Sequence, residues 1–255
     1  MDHRGEGGGD GFRVNGEKFF ATNSTGADWF AVLCHRQDKN GSRGLSWAFV
    51  NSATDGVNVH DTWDAVGQRG TASGGVAFDD VFVPRECMVG DVGSFERQPA
   101  IALCWQLMFG ALYGGMARGA LDFTTQYLER AESSQPGSVT EDPDRLGHLG
   151  DMATLVRSSW HSVEAAADVL QVDRRELDVD EAWIAVGVAK IASTTAALEV
   201  SSRLFQLCGA RAVARADGAD LYWRNARTLT LHDPVDRRRQ MVGRRTIQRP
   251  ESRRF

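Results

Sequence analysis

Two different hydrophobic periods divide the chain near residue 96. Before that point, short runs of β-branched and aromatic residues are separated by turn signals, which is typical of antiparallel strands. The Asn15-Gly16 pair between Phe12–Val14 and Lys18–Thr22 predicts a hairpin with a type I′ turn, because both central residues of that turn need a positive φ. The further predicted strands are Trp29–Cys34, Leu45–Val50, Val57–Trp63 and Gly75–Phe82.

After residue 96, apolar residues recur at the three- and four-residue spacing of a buried helix face. Long helices are predicted over about residues 99–130, from Pro143 with Asp142 as N-cap, and over about residues 181–208 with Gly209 as C′ residue. Shorter helices are predicted over 219–229 and from Pro234, with Asp233 as N-cap. The sequence therefore predicts an α+β chain: a partial antiparallel β domain, residues 1–96, and a C-terminal four-helix bundle, residues 97–255.

Composition limits the function classes. The 255 residues are 42% hydrophobic, which is enough for a buried core, and the net charge of −5 gives no reason to expect nucleic acid as a partner. Residues 237–255 hold eight arginines and one acidic residue, Glu251, which fits either a basic arm or a solvated helix face. The four cysteines have no metal-ligand spacing, so we expect no metal and a reducing, cytoplasmic location. We also expect the apolar runs to be too interrupted for a transmembrane helix.

One histidine of the six stands out as a candidate for chemistry. The chain has no dinucleotide fingerprint, no Walker loop and no nucleophile elbow. His232 precedes the Asp233-Pro234 pair, at the predicted break between two helices. A histidine there can present its imidazole to a cleft and donate a hydrogen bond or transfer a proton near neutral pH. The alternative is a histidine that only packs at a helix junction.

Three segments resemble the acyl-CoA dehydrogenase superfamily. Val14–Asn23 resembles a strand-turn-strand pattern in which an aromatic residue and a threonine touch the flavin ring, and these roles would fall on Phe20 and Thr22. Ala120–Arg130 resembles the helix whose arginine, here Arg130, reaches the flavin phosphates of a neighbouring subunit. Gln206–Ala210 resembles a "Q-x-x-G-G" stretch that also meets the neighbour's cofactor; Gln206 and Gly209 match, and Ala210 replaces the second glycine. The resemblance implies a homo-oligomer, a dimer or a tetramer.

Two further stretches resemble the flavin-dependent monooxygenases of the dibenzothiophene-monooxygenase type within this superfamily. Trp63–Gly74 is similar to "WD-x-x-GQR-x-T-x-SG", and Arg224–Val235 is similar to "RN-x-R-T-x-T-L-HDP". The resemblance implies a two-component enzyme in which reduced FMN from a separate reductase reacts with oxygen. His232 would stabilise the oxygen adduct by hydrogen bonding. The substrate would be a small apolar, aromatic or organosulfur molecule.

Two alternatives remain open. Acyl-CoA dehydrogenases use FAD and often carry a glutamate base in "Y-E-G-T", which aligns with Asp233. Aspartate is shorter, and an N-cap aspartate would be a weaker base because backbone N–H groups stabilise its ionised form. Oxygenation is therefore favoured, with His232 and Asp233 as the candidate catalytic residues. The resemblance also implies that the family's N-terminal helical domain and the opening strands of the β domain are missing before Met1, so a non-catalytic assembly subunit is the other alternative.

Overall fold

The chain divides into two compact units. The computed structural model describes residues 10–37, 41–95, 97–171 and 177–248. Residues up to 65 and Arg69–Ile101 form the first unit, and Val66–Gln68 and the residues from 102 onward form the second. The domain boundary expected between residues 96 and 97 stays a prediction. The predicted α+β class is confirmed, since strands dominate the first unit and long helices the second.

Six strands form two antiparallel sheets in the first unit. One sheet has the order β1-β5-β4 and the other the order β2-β3-β6. Both sheets contribute valines and aromatic residues to one apolar core, in which the rings of Phe30 and Phe78 meet edge to face at 6.4 Å. The strands are β1 (Gly11–Ala21), β2 (Trp29–Gln37), β3 (Arg43–Asn51), β4 (Val57–His60), β5 (Gly74–Pro84) and β6 (Met88–Val89).

The predicted hairpin at Asn15-Gly16 is wrong, because β1 runs straight through this pair. Val14 lies opposite Val81 and Gly16 lies opposite Phe78, so a β-bulge in β5 sets two residues against Asn15. The side-chain Oδ1 of Asn15 accepts a hydrogen bond of 2.8 Å from the backbone N–H of Asp80. A partner 65 residues away thus uses the side chain that a local turn would have needed.

The helices begin and end close to the predicted residues, apart from the last. The Oδ1 of Asp142 accepts from the N–H groups of Asp144 and Arg145 at 3.1 Å, as expected of an N-cap before Pro143. Gly209 follows the third helix with a φ of 73°, as expected of the C′ residue. The helices are α1 (Pro99–Ser134), α2 (Pro143–Leu170), α3 (Val179–Cys208), α4 (Ala219–Leu229) and α5 (Asp236–Gln248).

Small residues allow α1, α2 and α3 to pack closely in the second unit. Ala117 and Ala120 of α1 meet Met152 and Val156 of α2 and Ala196 of α3, and all five are buried in one apolar cluster. A second cluster joins the beginning of α1 to the end of α2 and the beginning of α3. The side chains of α3 therefore occupy the centre of this unit.

The expectation that apolar runs would be too interrupted to cross a membrane is wrong in its premise. Residues 99–117 contain no charged side chain. In the part of the chain that the structure describes, α1 and α3 are both long and apolar enough to span a bilayer by length and composition alone. Core helices have the same properties, and 56% of the apolar stretch of α3 is buried inside the unit.

Glu132 organises the loop between α1 and α2. Its carboxylate accepts hydrogen bonds from the N–H groups of Gly137 and Val139, both at 2.7 Å, and from the N–H and hydroxyl of Thr140 at 3.2 and 2.8 Å. These bonds favour the ionised form, and they lower the pKa of Glu132 to about 2. The Glu132 carboxylate thus supplies the loop N–H groups with the hydrogen-bond acceptor that a helix or strand would otherwise provide.

We expect Glu132→Gln to lower the denaturant midpoint at pH 7, because an amide oxygen is a weaker acceptor than a carboxylate. A carboxyl whose pKa falls on folding stabilises the fold above its unfolded pKa, and this contribution is lost as the pH falls through the folded value. The gap between wild type and variant should therefore narrow between the ordinary pKa of 4.5 and about 2. Glu129→Gln, an exposed change on the same helix, is the control. A gap that is constant over this pH range would contradict the assignment.

Candidate functional site

The two stretches that resemble the monooxygenase patterns contact each other within the second unit. The N–H of Gln68 donates to the Oδ1 of Asn225 at 2.7 Å, and the N–H of Gly67 donates to the Oγ1 of Thr228 at 3.0 Å. The guanidinium of Arg224 donates to the carbonyl of Val66 at 2.8 Å. The polar residues at the start of the Arg224–Val235 stretch therefore hold Val66–Gln68 along α4.

Glycine is required at position 67 by this close approach. A Cβ there would collide with the carbonyl oxygen of Arg224, which belongs to the backbone of α4 and cannot move aside cheaply. Arg224 is itself fixed, since its Nε donates to the carboxylate of Asp220 one turn earlier at 2.8 Å. The backbone of α4 and the Gly67 peptide are thus in direct contact.

A buried ion pair follows α4. Lys190 lies in the middle of α3 with its side chain fully buried. Its Nζ donates to the Oδ2 of Asp233 at 2.7 Å and to the Oε1 of Gln106, on α1, at 2.8 Å. Arg238 of α5 approaches the same carboxylate oxygen at 3.5 Å. This cluster connects three helices to the segment between α4 and α5.

The charges of the pair depend on each other. Burial lowers the pKa of Lys190, and the hydrogen bond and charge of Asp233 oppose that shift. For Asp233, burial favours the neutral acid, but Lys190, a hydrogen bond from Gln106 and the charge of Arg238 outweigh it and hold the pKa of this carboxyl below its ordinary value. Asp233 is therefore a carboxylate in an ion pair, with its proton affinity reduced.

Asp233 does not have the role expected from the Asp-Pro pair. The helix α5 begins at Asp236 rather than at Pro234, and the carboxylate of Asp233 binds the Lys190 ammonium instead of capping N–H groups. The expected N-cap is therefore wrong, although the inferred weakness of Asp233 as a base is retained through a different interaction. Lys190 was missed by the sequence analysis. The available signal was one lysine in line with the buried face of a helix whose central stretch has no other charged residue.

His232 lies beside this ion pair and remains exposed to solvent. Its ring is tilted by 32° against the ring of Phe109, with the two centroids 4.6 Å apart. Just before it, the hydroxyl of Tyr113 donates to the carbonyl of Leu229 at 3.1 Å. Burial and the charge of Asp233 raise the pKa of Tyr113 to about 12, so the phenol keeps its proton for this bond. The imidazole of His232 thus packs against Phe109 on one side and is accessible to solvent on the other.

The first unit brings Phe20 and Thr22 next to the start and the end of the Trp63–Gly74 stretch. The Phe20 side chain is 78% exposed, and its ring meets that of Trp63 edge to face at 6.2 Å. The hydroxyl of Ser73 donates to the Oγ1 of Thr22 at 3.4 Å. An exposed aromatic ring two residues from a hydroxyl suits a flat, polar-edged ring system such as a flavin.

Arg130 lies in the second unit within electrostatic range of Cys208, which stands between Gln206 and Gly209 in the sequence. Burial raises the pKa of Cys208 to about 11, and the nearby charge of Arg130 acts against that shift. Cys208 lies between Gln206 and Gly209, so the arginine is close to this stretch. Arg130 and Gln206 are both exposed, as an anion-binding role would need. Among the described residues, no three His, Cys, Asp or Glu side chains come together as metal ligands would.

An apolar cleft of about 860 Å³ lies between α1 and α4. Glycines at positions 115 and 119 leave room along α1, while Met116 and Phe123 supply apolar surface. On the α4 side, Asn225 lines the cleft with the side chain that also holds Gln68. The cleft is large enough for a small aromatic ligand.

Comparison with known families identifies the class. The family model described as "Acyl-CoA dehydrogenase, middle domain" matches residues 3–81, and the one described as "Acyl-CoA dehydrogenase, C-terminal domain" matches residues 107–237, just over half of the chain. The chain belongs to the acyl-CoA dehydrogenase family.

Several relatives that match most of this chain are named as monooxygenases. A dibenzothiophene monooxygenase of Rhodococcus erythropolis is 32% identical over 93% of this chain. A probable FMNH2-dependent monooxygenase, SfnC of Pseudomonas putida, is 30% identical over 90% of it. The crystal structure of FMN-bound TdsC from Paenibacillus sp. A11-2 superposes with a TM-score of 0.81 and 32% identity, covering 91% of this chain and 63% of that one. The chain spans 61% and 60% of the lengths of the first two relatives.

We expect Gly67→Ala to lower the free energy of unfolding by about 1–3 kcal/mol, because the new methyl group must displace the α4 backbone. Chemical denaturation measures the change. Gly70→Ala is the matched control, since a Cβ there would meet no heavy atom within 4 Å. Equal stability of the two variants would show that the Gly67 peptide does not contact α4.

Proposed function

We propose that the chain is the flavin-binding and substrate-binding part of a two-component monooxygenase. It takes reduced FMN from a separate reductase and uses oxygen to oxygenate a small apolar, aromatic or organosulfur substrate. When bound, reduced flavin supplies the two electrons that activate oxygen. The protein supplies the binding surfaces and the hydrogen bonds.

The observation that carries this proposal is the ion pair between Lys190 and Asp233. A dehydrogenase needs a base that removes a proton next to the carbonyl of its substrate. Asp233 stands where that base is expected, but its carboxylate is bound to a buried ammonium and its pKa is lowered. A carboxylate held in this way is a poor proton acceptor, so the site favours chemistry that does not use one.

His232 is the residue assigned to the oxygen chemistry. Its imidazole is exposed, and the neighbouring ion pair and Phe109 hold the segment that carries it. In this proposal it donates a hydrogen bond where reduced flavin reacts with oxygen, which favours oxygen transfer over release of hydrogen peroxide. The cleft between α1 and α4 would receive the apolar part of the substrate.

The remaining candidates are assigned to cofactor binding. Phe20 and Thr22 would contact the flavin ring of their own subunit. Arg130, Gln206 and Gly209 would meet the phosphate end of a flavin held by a neighbouring subunit, so the proposal includes a homodimer or a homotetramer. FMN is favoured because SfnC is named for FMNH2 and TdsC was solved with FMN. Four free cysteines fit a reducing, cytoplasmic location.

Oxidation of an acyl-CoA with FAD is the second candidate, and the two matching family models favour it. It requires a base other than Asp233, or an Asp233 released from Lys190. An acyl-CoA should then bleach bound FAD in the absence of oxygen. Bleaching with any chain length would replace the monooxygenase proposal.

We expect His232→Ala to lower the amount of oxygenated product per reduced FMN consumed by about 100-fold, as for loss of one hydrogen-bond donor to a reacting group. Hydrogen peroxide should rise by the amount of product that is lost, because each reduced flavin consumed yields one or the other. The assay supplies reduced FMN, oxygen and either dibenzothiophene or indole. His161→Ala, an exposed change on α2, is the control. Unchanged coupling in His232→Ala would contradict the role of the histidine. A chain that forms oligomers but never takes up FMN would instead indicate an assembly subunit.

We expect Arg130→Gln to weaken FMN binding about tenfold or more, since a charge-assisted hydrogen bond contributes about 1.5–3 kcal/mol. Flavin fluorescence quenching measures the affinity, and sedimentation velocity measures the oligomer. Arg118→Gln is the control, because Arg118 lies on the same helix and pairs with Asp122 at the surface. A chain that binds FMN as a monomer would contradict the assignment of Arg130 to a neighbour's flavin.

A further inference from the structure

One face of α1 contacts the end of α4 and the segment that follows it at three points. Gln106 accepts from the Lys190 ammonium, which is bound to Asp233. Phe109 stacks against the ring of His232, and Tyr113 donates to the carbonyl of Leu229. These α1 residues are three and four positions apart, so they share one side of the helix. The segment that carries His232 is therefore held along its length by one rigid surface.

Lys190 is the centre of these contacts. Its ammonium is also 5.6 Å from the centroid of the Phe109 ring, so the aromatic ring beside His232 faces the same charge. The side chain is fully buried and lies on the central helix α3. In the function proposed above, this lysine serves only to weaken Asp233 as a base.

We propose that Lys190 is a positioning residue for His232, which fixes Asp233 and thereby the backbone and side-chain orientation of the adjacent histidine. The inference rests on the proposed role of His232 in oxygenation. A buried ammonium cannot form hydrogen bonds with water, so it holds the oxygen atoms of Asp233 and Gln106 in place. Asp233 and His232 share a peptide bond, so a fixed carboxylate restrains the backbone from which the imidazole extends toward Phe109.

A purely structural lysine would stabilise the bundle and leave the histidine unaffected once the protein has folded. A positioning lysine changes the surroundings of the His232 ring. Protons over the face of an aromatic ring resonate upfield, so the imidazole of His232 should report its distance from Phe109. The exposed His161 supplies the reference resonance.

The first experiment uses NMR of the full, flavin-free chain. The carbon-bound imidazole protons of His232, assigned with His232→Ala, should lie upfield of those of His161. Lys190→Met keeps most of the side-chain length and removes the charge. In this variant the His232 imidazole protons should move toward the His161 position. Ser201→Ala, another change at a buried polar residue of α3, should leave them in place. A folded Lys190→Met with an unshifted His232 would overturn the inference.

Asp233→Ala decides the question if Lys190→Met does not fold. Asp233 is partly exposed, and alanine removes the carboxylate through which Lys190 would act, while Gln106 remains as a partner of the ammonium. The His232 resonances should again move toward those of His161. If they do not move in this variant, Lys190 does not act through Asp233 and the inference fails.

The second experiment measures oxygenated product per reduced FMN with dibenzothiophene. Lys190→Met should lower this ratio about tenfold or more, because misplacing a group by about 1 Å can cost about 100-fold. The KM for dibenzothiophene should change much less. The double variant Lys190→Met/His232→Ala should be no worse than His232→Ala, since both changes remove the same function. Additive losses would overturn the inference. If the wild-type chain makes no product, the proposed oxygenation fails, while the NMR experiment still tests the positioning.

Discussion

The burial of the Lys190 ammonium is the constraint on which the arrangement of the second unit depends. Removing a charge from water costs several kcal/mol, and only close, oppositely charged or polar partners offset that cost. Asp233 and Gln106 supply them at 2.7 and 2.8 Å. Because these partners lie on α1 and after α4, the two elements must meet at the middle of α3. Loss of one partner of such a pair costs about 3–5 kcal/mol, so the meeting point is strongly fixed.

The same pair affects the chemistry of the site. A carboxylate paired with a buried ammonium is a weak base, which takes away the residue that a dehydrogenase would use at this position. In our proposal the pairing also orients the adjacent residue, His232. Lys190 on the central helix α3 thus weakens Asp233 as a base and, in our proposal, also orients His232 as a hydrogen-bond donor. The fold of the family permits either chemistry, and the weakened base is the observation on which the proposed oxygenation rests.

The sequence predicts those features that depend on local rules. The helix over 219–229 and the capping by Asp142 follow from periodicity and from hydrogen bonds to the next turn. The hairpin at Asn15-Gly16 and the cap at Asp233 obey local rules equally well, but both are wrong. In each, a distant partner binds the side chain: the N–H of Asp80 for Asn15 and the ammonium of Lys190 for Asp233. Such partners cannot be read from spacing along the chain.

The Arg224–Val235 stretch contains residues with two different roles, which the sequence alone does not distinguish. Arg224, Asn225 and Thr228 bind the backbone of Val66–Gln68 and act on the position of the chain rather than on a ligand. His232 and Asp233 follow about one turn after the end of α4. In the proposed function His232 carries the chemistry, and Asp233 connects it to Lys190. The helix α4 connects these two groups of residues rigidly. A change at Gly67, far along the sequence from His232, therefore acts on the helix from which the histidine-bearing segment extends.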